Sequence, residues 1–134
     1  MTGRMRGFSG RLGTVLGSPD PVRLAHFYRD LLGWAIGHES PEWITLPMPG
    51  HPANLAFQLE DAYVRPTWPP AAGEQQMMLH LDIGVRSLPE AVADAVALGA
   101  VEAGFQPQDD VRVLLDPDGH PFCLYEDRST PVAE

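Results

Sequence analysis

The chain carries one local plan twice, and this duplication restricts its fold more than any other feature. A single constant offset, with no gap, lays Thr14 on His80, Asp20 on Arg86, Leu32 on Leu98 and Gly33 on Gly99. The same offset sets Phe57 on Cys123 and Glu60 on Glu126. Each copy reads as strand, helix and three further strands, and neither copy can bury both faces of its own sheet. Two βαβββ units side by side meet that need. The expectation is an α+β fold in which they form a cup-shaped, partly open barrel with helices outside.

In the first copy, residues 12–17 read as a strand ended by Ser18-Pro19. Asp20 stands where an N-cap belongs, with Pro21 at the first helical position. Val22, Ala25, Phe27, Tyr28, Leu31 and Leu32 then form an apolar stripe, which Gly33 stops. The stripe is expected to bury Phe27 and Leu31 against Leu81, Ile83 and Val85, or against their counterpart near Val15. Residues 34–39, 43–48 and 54–59 read as strands between turn residues. In the second copy, residues 79–85 read as a strand, and Ser87-Leu88-Pro89-Glu90 as a capping box. A helix through Val92, Val96 and Leu98 follows, ending at Gly99. Strands are expected over 101–105, 111–115 and 121–126, the last two joined by the turn Asp116-Pro117-Asp118-Gly119. This leaves a flexible arm at 1–11, units at 12–60 and 78–126, a proline-rich linker at 61–77 and a tail at 127–134.

With 134 residues, one domain-sized core is expected. A net charge of −9 disfavours phosphate backbones and anionic lipid, so neither nucleic acid nor a membrane is an expected partner. No apolar run approaches the ~20 residues that span a bilayer. Arg4, Arg6 and Arg11 are followed by no apolar stretch, so no secretory signal is expected. The lone cysteine, Cys123, suits a reducing cytoplasm. All nine basic residues are arginine, which excludes Schiff-base chemistry on lysine.

Alternation along the strand at 79–85 puts His80, Asp82 and Gly84 on one face, with Leu79, Leu81, Ile83 and Val85 on the other. The first face is the expected functional surface. There His80 and Asp82 are candidates for a metal-free acid/base pair; the plainer alternative is that His80 only donates a hydrogen bond to a ligand or a neighbouring strand. Cys123 is either a nucleophile beside His80 or a small buried apolar residue between Phe122 and Leu124. Arg112 binds either ligand or a surface carboxylate. Trp43, Phe57, Trp68 and Tyr125 are core or loop aromatics by default, although the wall of a cavity needs some of them. His120 supports the hairpin turn.

Asp20 to Gly33 with Phe27-Tyr28 and Leu31-Leu32-Gly33, then His80-Leu81-Asp82, Leu98-Gly99-Ala100 and Asp116-Pro117-Asp118-Gly119-His120 carry a pattern that extends over roughly residues 12–126, nearly the whole chain. In that order and spacing they resemble the vicinal oxygen chelate superfamily, which includes glyoxalases, bleomycin-resistance proteins and dioxygenases. The resemblance implies a homodimer. It also implies a divalent metal held by His, Gln or Glu from the first and last strands of each unit. The matching positions here are Thr14, His80, Cys123 and Phe57, or Gln58 if the register moves by one. His and Cys alone make no site for an oxygen-preferring dication, so no metal or cofactor is expected. The expected function is binding of a small organic molecule in the cup, through Thr14, Trp43, Phe57, Gln58, Trp68, His80, Arg112, Cys123 and Tyr125. The alternative is a metal-independent lyase or isomerase using His80 and Asp82, and behind it a divergent metal-dependent lyase or dioxygenase.

Overall fold

A computed structural model describes residues 3–129. Parts of the arm (1–2) and of the tail (130–134) therefore lie outside the described residues. The chain divides into two compact units, the first ending at Asp61 and the second beginning at Ala62. Each holds one helix and one four-stranded mixed sheet.

The first unit comprises β1 (Leu12–Ser18), α1 (Pro21–Leu32), β2 (His38–Glu39), β3 (Trp43–Pro47) and β4 (Ala53–Leu59). Its strands lie in the order β1-β4-β3-β2, with β1 parallel to β4 and the other pairs antiparallel. Helix α1 starts and stops as its sequence predicts. The Asp20 side chain accepts from Arg23 N, Pro21 opens the helix, and Gly33 takes a left-handed conformation (φ 72°) whose N–H reaches Arg29 O.

The helix packs on β1, β3 and β4 of its own unit. Phe27 is buried as expected, but the face it covers is not the one that carries Val15. Val15 is 44% exposed, while Leu16 and Ser18 are buried. Cross-strand partners share a face, so Leu16, Phe57 and Ile44 stand together under the helix. There the ring of Phe57 stacks on Tyr28 at 5.6 Å, and Phe27 meets Tyr28 edge-on at 4.9 Å.

The second unit comprises β5 (Leu81–Val85), α2 (Leu88–Ala97), β6 (Val101–Glu102), β7 (Val111–Leu115) and β8 (Pro121–Glu126). Its order, β5-β8-β7-β6, repeats that of the first unit. Helix α2 packs on β6, β7 and β8, where Phe122, Leu114 and Leu124 are buried. Ser87 Oγ accepts from Glu90 N, while Leu88 N donates to Glu126 Oε1 at 3.3 Å, so a carboxylate from β8 helps to cap the helix. The strands expected over 34–39 and 101–105 shrink to two residues each, and residues 62–80 form no helix or strand. Tyr63 and Trp68 nevertheless fasten that segment to the second unit, donating to Asp118 O at 2.7 Å and Phe105 O at 3.0 Å. Among the described residues, no helix is long and apolar enough to cross a membrane.

The repeat is real, but its register in the strands differs by one from the constant offset. The two N-caps are Asp20 and Ser87, not Asp20 and Arg86. The helix-covered residues Leu16 and Phe57 correspond to Ile83 and Leu124, which are register partners in the second unit. His80, Asp82 and Cys123 therefore correspond to Gly13, Val15 and Ala56. Helix α2 reaches its terminal glycine one residue sooner from its N-cap than α1 does, which makes the glycines and the preceding leucines coincide at the wrong strand offset. A one-residue slip exchanges the two faces of every strand. Phe57 is thus the structural counterpart of Leu124, not of Cys123.

Candidate functional site

In the second unit, β5 runs parallel to β8 with Asp82 directly opposite Cys123. His80 precedes the strand by one residue and lies on the face of Asp82, its Nε2 3.0 Å from Asp82 Oδ1. The Cys123 thiol donates a hydrogen bond to the Asp82 carboxylate. One ligating atom from each of His80, Asp82 and Cys123 falls within 4.8 Å of the others. Asp82 is the hinge of this cluster, exposed enough to receive a ligand and bonded to both neighbours.

Burial, the Asp82 charge and its hydrogen bond all push the Cys123 thiol up from its ordinary pKa, burial most of all. A neutral thiol is a poor nucleophile, which counts against covalent chemistry by Cys123 alone. The Asp82→Asn variant removes the negative charge while keeping an acceptor. Cys123 should then ionise more readily, and alkylation by iodoacetamide near pH 8 should accelerate roughly three- to tenfold. An unchanged alkylation rate would mean that Asp82 does not hold the thiol neutral.

The cluster lies in a pocket of ≈ 750 Å³. Its far end reaches Leu88 and Pro89 at the start of α2, and its rim carries Asp109, Asp110 and Glu126. With Asp82 this makes four carboxylates, and none of the lining residues is arginine. A smaller apolar hollow of ≈ 190 Å³ adjoins it through His80 and Cys123 and is walled by Trp68 and Val113. Tyr125 also lines the main pocket. Gly84 makes room for it: a Cβ there would stand 3.2 Å from the Tyr125 hydroxyl and 3.0 Å from Asp127 Cβ.

Of the residues singled out from the sequence, His80, Asp82, Cys123, Trp68 and Tyr125 are brought together around these hollows. Arg112 is not. It pairs with Leu124, so it stands on the α2 side of the sheet, 3.7 Å from Glu102 Oε1 and donating to Gln108 O and Val111 O. There it borders a separate hollow of ≈ 300 Å³ with Leu88, Pro89, Val92 and Glu102. Thr14, Trp43, Phe57 and Gln58 belong to the first unit. Trp43 and Gln58 are register partners on the face away from α1, Thr14 shares the face of Leu16, and Phe57 is fully buried beneath the helix.

The sequence reading passed over Asp109, Asp110 and Glu126 as pocket residues. The adjacent aspartates ahead of β7 were the available signal. Glu126 falls on the opposite strand face from Cys123 and borders the pocket at the start of α2, where its carboxylate accepts from Leu88 N.

The metal that the resemblance implies can be tested against these donors. The counterparts of His80, Asp82 and Cys123 in the first unit, Gly13, Val15 and Ala56, offer no side-chain ligand, so the arrangement drawing on both units does not fit. The second unit by itself does supply three donors, because Asp82 joins the two that sequence matching had counted.

Residues 13–125 match the family profile described as a glyoxalase-like domain. Among solved structures, a glyoxalase-related enzyme from Fulvimarina pelagi is 26% identical, covering 94% of each chain with a TM-score of 0.61. A glyoxalase/bleomycin resistance protein/dioxygenase family enzyme from Burkholderia phytofirmans PsJN is 20% identical over 85% of this chain and 95% of its own (TM-score 0.63). Lactoylglutathione lyase from Agrobacterium tumefaciens is 15% identical over 90% and 96% (TM-score 0.58). At those identities the last two speak for the fold alone. No curated protein matches the sequence.

Proposed function

The chain belongs to the glyoxalase-like domain family, within the vicinal oxygen chelate superfamily, and from that premise we propose that it binds a small organic molecule bearing a cationic group in the pocket of its second unit. The observation that carries this reading is the pocket's charge: Asp82, Asp109 and Asp110 border it with no arginine among its lining residues, while Glu126, which also borders it, is paired with Arg128 at 2.9 Å. Such a lining attracts cations and repels carboxylates. Trp68 and Val113 in the adjoining hollow offer an apolar surface for the rest of the ligand. This binding makes no use of the family's two-unit metal arrangement. In the same reading the protein works in the cytoplasm, which suits a single free thiol, and as a homodimer, as is common in the family.

A thermal-shift screen in the presence of chelator, comparing amines and guanidines with carboxylic acids of similar size, tests the proposal. Cationic compounds should stabilise the protein, and the effect should weaken with salt. Stabilisation by anions alone would sink it. For a stabilising compound, His80→Ala should cost ~0.5–3 kcal/mol of affinity, the range for a lost hydrogen bond.

The 3.0 Å contact between His80 and Asp82 supports a second reading, metal-independent acid/base catalysis by that pair as a lyase or isomerase. In that case His80→Ala and Asp82→Asn would each lower turnover by ~10²-fold or more while affinity held. A loss confined to affinity leaves a binder.

A further inference from the structure

We propose that the hollow on the α2 side of the second unit's sheet binds an α-amino acid with a branched aliphatic side chain, its carboxylate on Arg112 and its ammonium on Glu102. The site goes beyond the binding reading above and does not depend on it. Arg112 and Leu124 are register partners, so this hollow lies on the opposite sheet face from Cys123. Its volume is ≈ 300 Å³, and Leu88, Pro89, Val92, Glu102 and Arg112 line it. That is room for a ligand of amino-acid size, at the small end of the range for such sites.

The two charges are held in place but only loosely paired. Arg112 Nη1 donates to Gln108 O at 3.1 Å and to Val111 O at 3.0 Å, which fixes the guanidinium. Its Nε lies 3.7 Å from Glu102 Oε1, too far for a hydrogen bond. Nε and Nη2, the edge that grips a carboxylate with two parallel bonds, therefore make no hydrogen bond among the described residues. The Arg112 and Glu102 side chains are 32% and 48% exposed, so their mutual attraction is weak and costs little to rearrange. A lone anion here would be repelled by Glu102, and a lone cation by Arg112. A zwitterion satisfies both, and an α-amino acid carries its two charged groups on one carbon, close enough to bracket such a pair. Leu88 and Val92 stand one helical turn apart on α2 and, with Pro89, offer the aliphatic side chain an apolar wall. The start of the helix does not hold the carboxylate, because Leu88 N already donates to Glu126. That task falls to Arg112.

NMR of the full-length protein titrated with L-leucine provides the test. The expected result is saturable shifts, with a Kd of about 10 mM or tighter, of the Val92 methyls and the Arg112 Nε–H, neither of which lines the acidic pocket. The His80 ring signals should stay where they are. Isocaproic acid lacks the ammonium and isoamylamine lacks the carboxylate, and each should bind this hollow at least about tenfold more weakly than leucine. Arg112→Lys keeps the charge but loses the fork, and Glu102→Gln removes the ammonium's partner. Each should weaken leucine binding by a similar factor. The proposal is overturned if the unaltered protein shows no saturable shift, or if the shifts are confined to the acidic pocket. Either analogue binding this hollow as tightly as leucine, or affinity unchanged in both variants, would overturn it too. The unaltered protein with the three ligands decides the matter even if a variant fails to fold. The two hollows are read at different residues, so failure here leaves the acidic pocket to its own screen.

Discussion

Phe57→Ala is expected to destabilise the protein by about 3–5 kcal/mol, the cost of deleting a buried aromatic ring. Phe57 is wholly inaccessible, stacks on Tyr28 at 5.6 Å, and sits between Leu16 and Ile44 on neighbouring strands. Removing the ring leaves a hole under α1 that the flanking strands, tied by their ladder bonds, can close only partly. Urea denaturation measures the effect. A cost below ~1 kcal/mol would mean that α1 does not cover this face and that Phe57 is available to line a binding site after all.

Asp116→Ala should be comparably damaging, at about 3–5 kcal/mol, for an electrostatic reason instead of a packing one. The Asp116 side chain is fully buried in the turn between β7 and β8. Its Oδ1 accepts from Asp118 N at 2.9 Å and His120 N at 3.0 Å, and its Oδ2 lies 2.8 Å from His120 Nδ1. Alanine would strand two backbone donors and an imidazole away from water. Tyr63 holds the same turn from outside by donating to Asp118 O, and burial together with Asp116 and Asp118 pushes its phenol pKa well up. Asp116→Asn, which retains an oxygen for the two backbone donors, should cost less than alanine. Equal losses for both variants in urea would show that the carboxylate oxygen facing His120 carries the effect. A loss below ~1 kcal/mol for alanine would mean that the turn is held by its backbone alone.

Much of the fold was legible because local chemistry signals it directly. Asp20, Pro21 and Gly33 bound α1 without help from the rest of the chain, and Ser87 opens α2 in the same way. The boundaries of β7 and β8 agree with the sequence because their alternation is flanked by an unmistakable turn. The strands at 34–39 and 101–105 were overestimated: only the residues paired to β3 and β7 qualify, and strand propensity says nothing about where a partner ends.

The candidate site was half legible. Alternation alone united His80 with Asp82, since they fall two residues apart in one extended stretch, His80 just ahead of β5. It could not add Asp82 to Cys123, because that relation comes from the register of two strands far apart in sequence. Nor could it separate Arg112 from Cys123, which lie on opposite faces of adjacent strands.

By itself, then, the sequence determined the order of elements, the helix ends, the duplication and the family, all of which depend on residues close together or on a pattern repeated along the chain. The tertiary structure decided which strand faces the helices cover, and with that the fate of each polar residue. A span from N-cap to terminal glycine that is one residue shorter in the second copy shifts the apparent repeat by one, and in a strand one residue is the difference between core and surface. That is why Phe57 packs beneath α1 while Cys123 meets His80 and Asp82 beside a pocket.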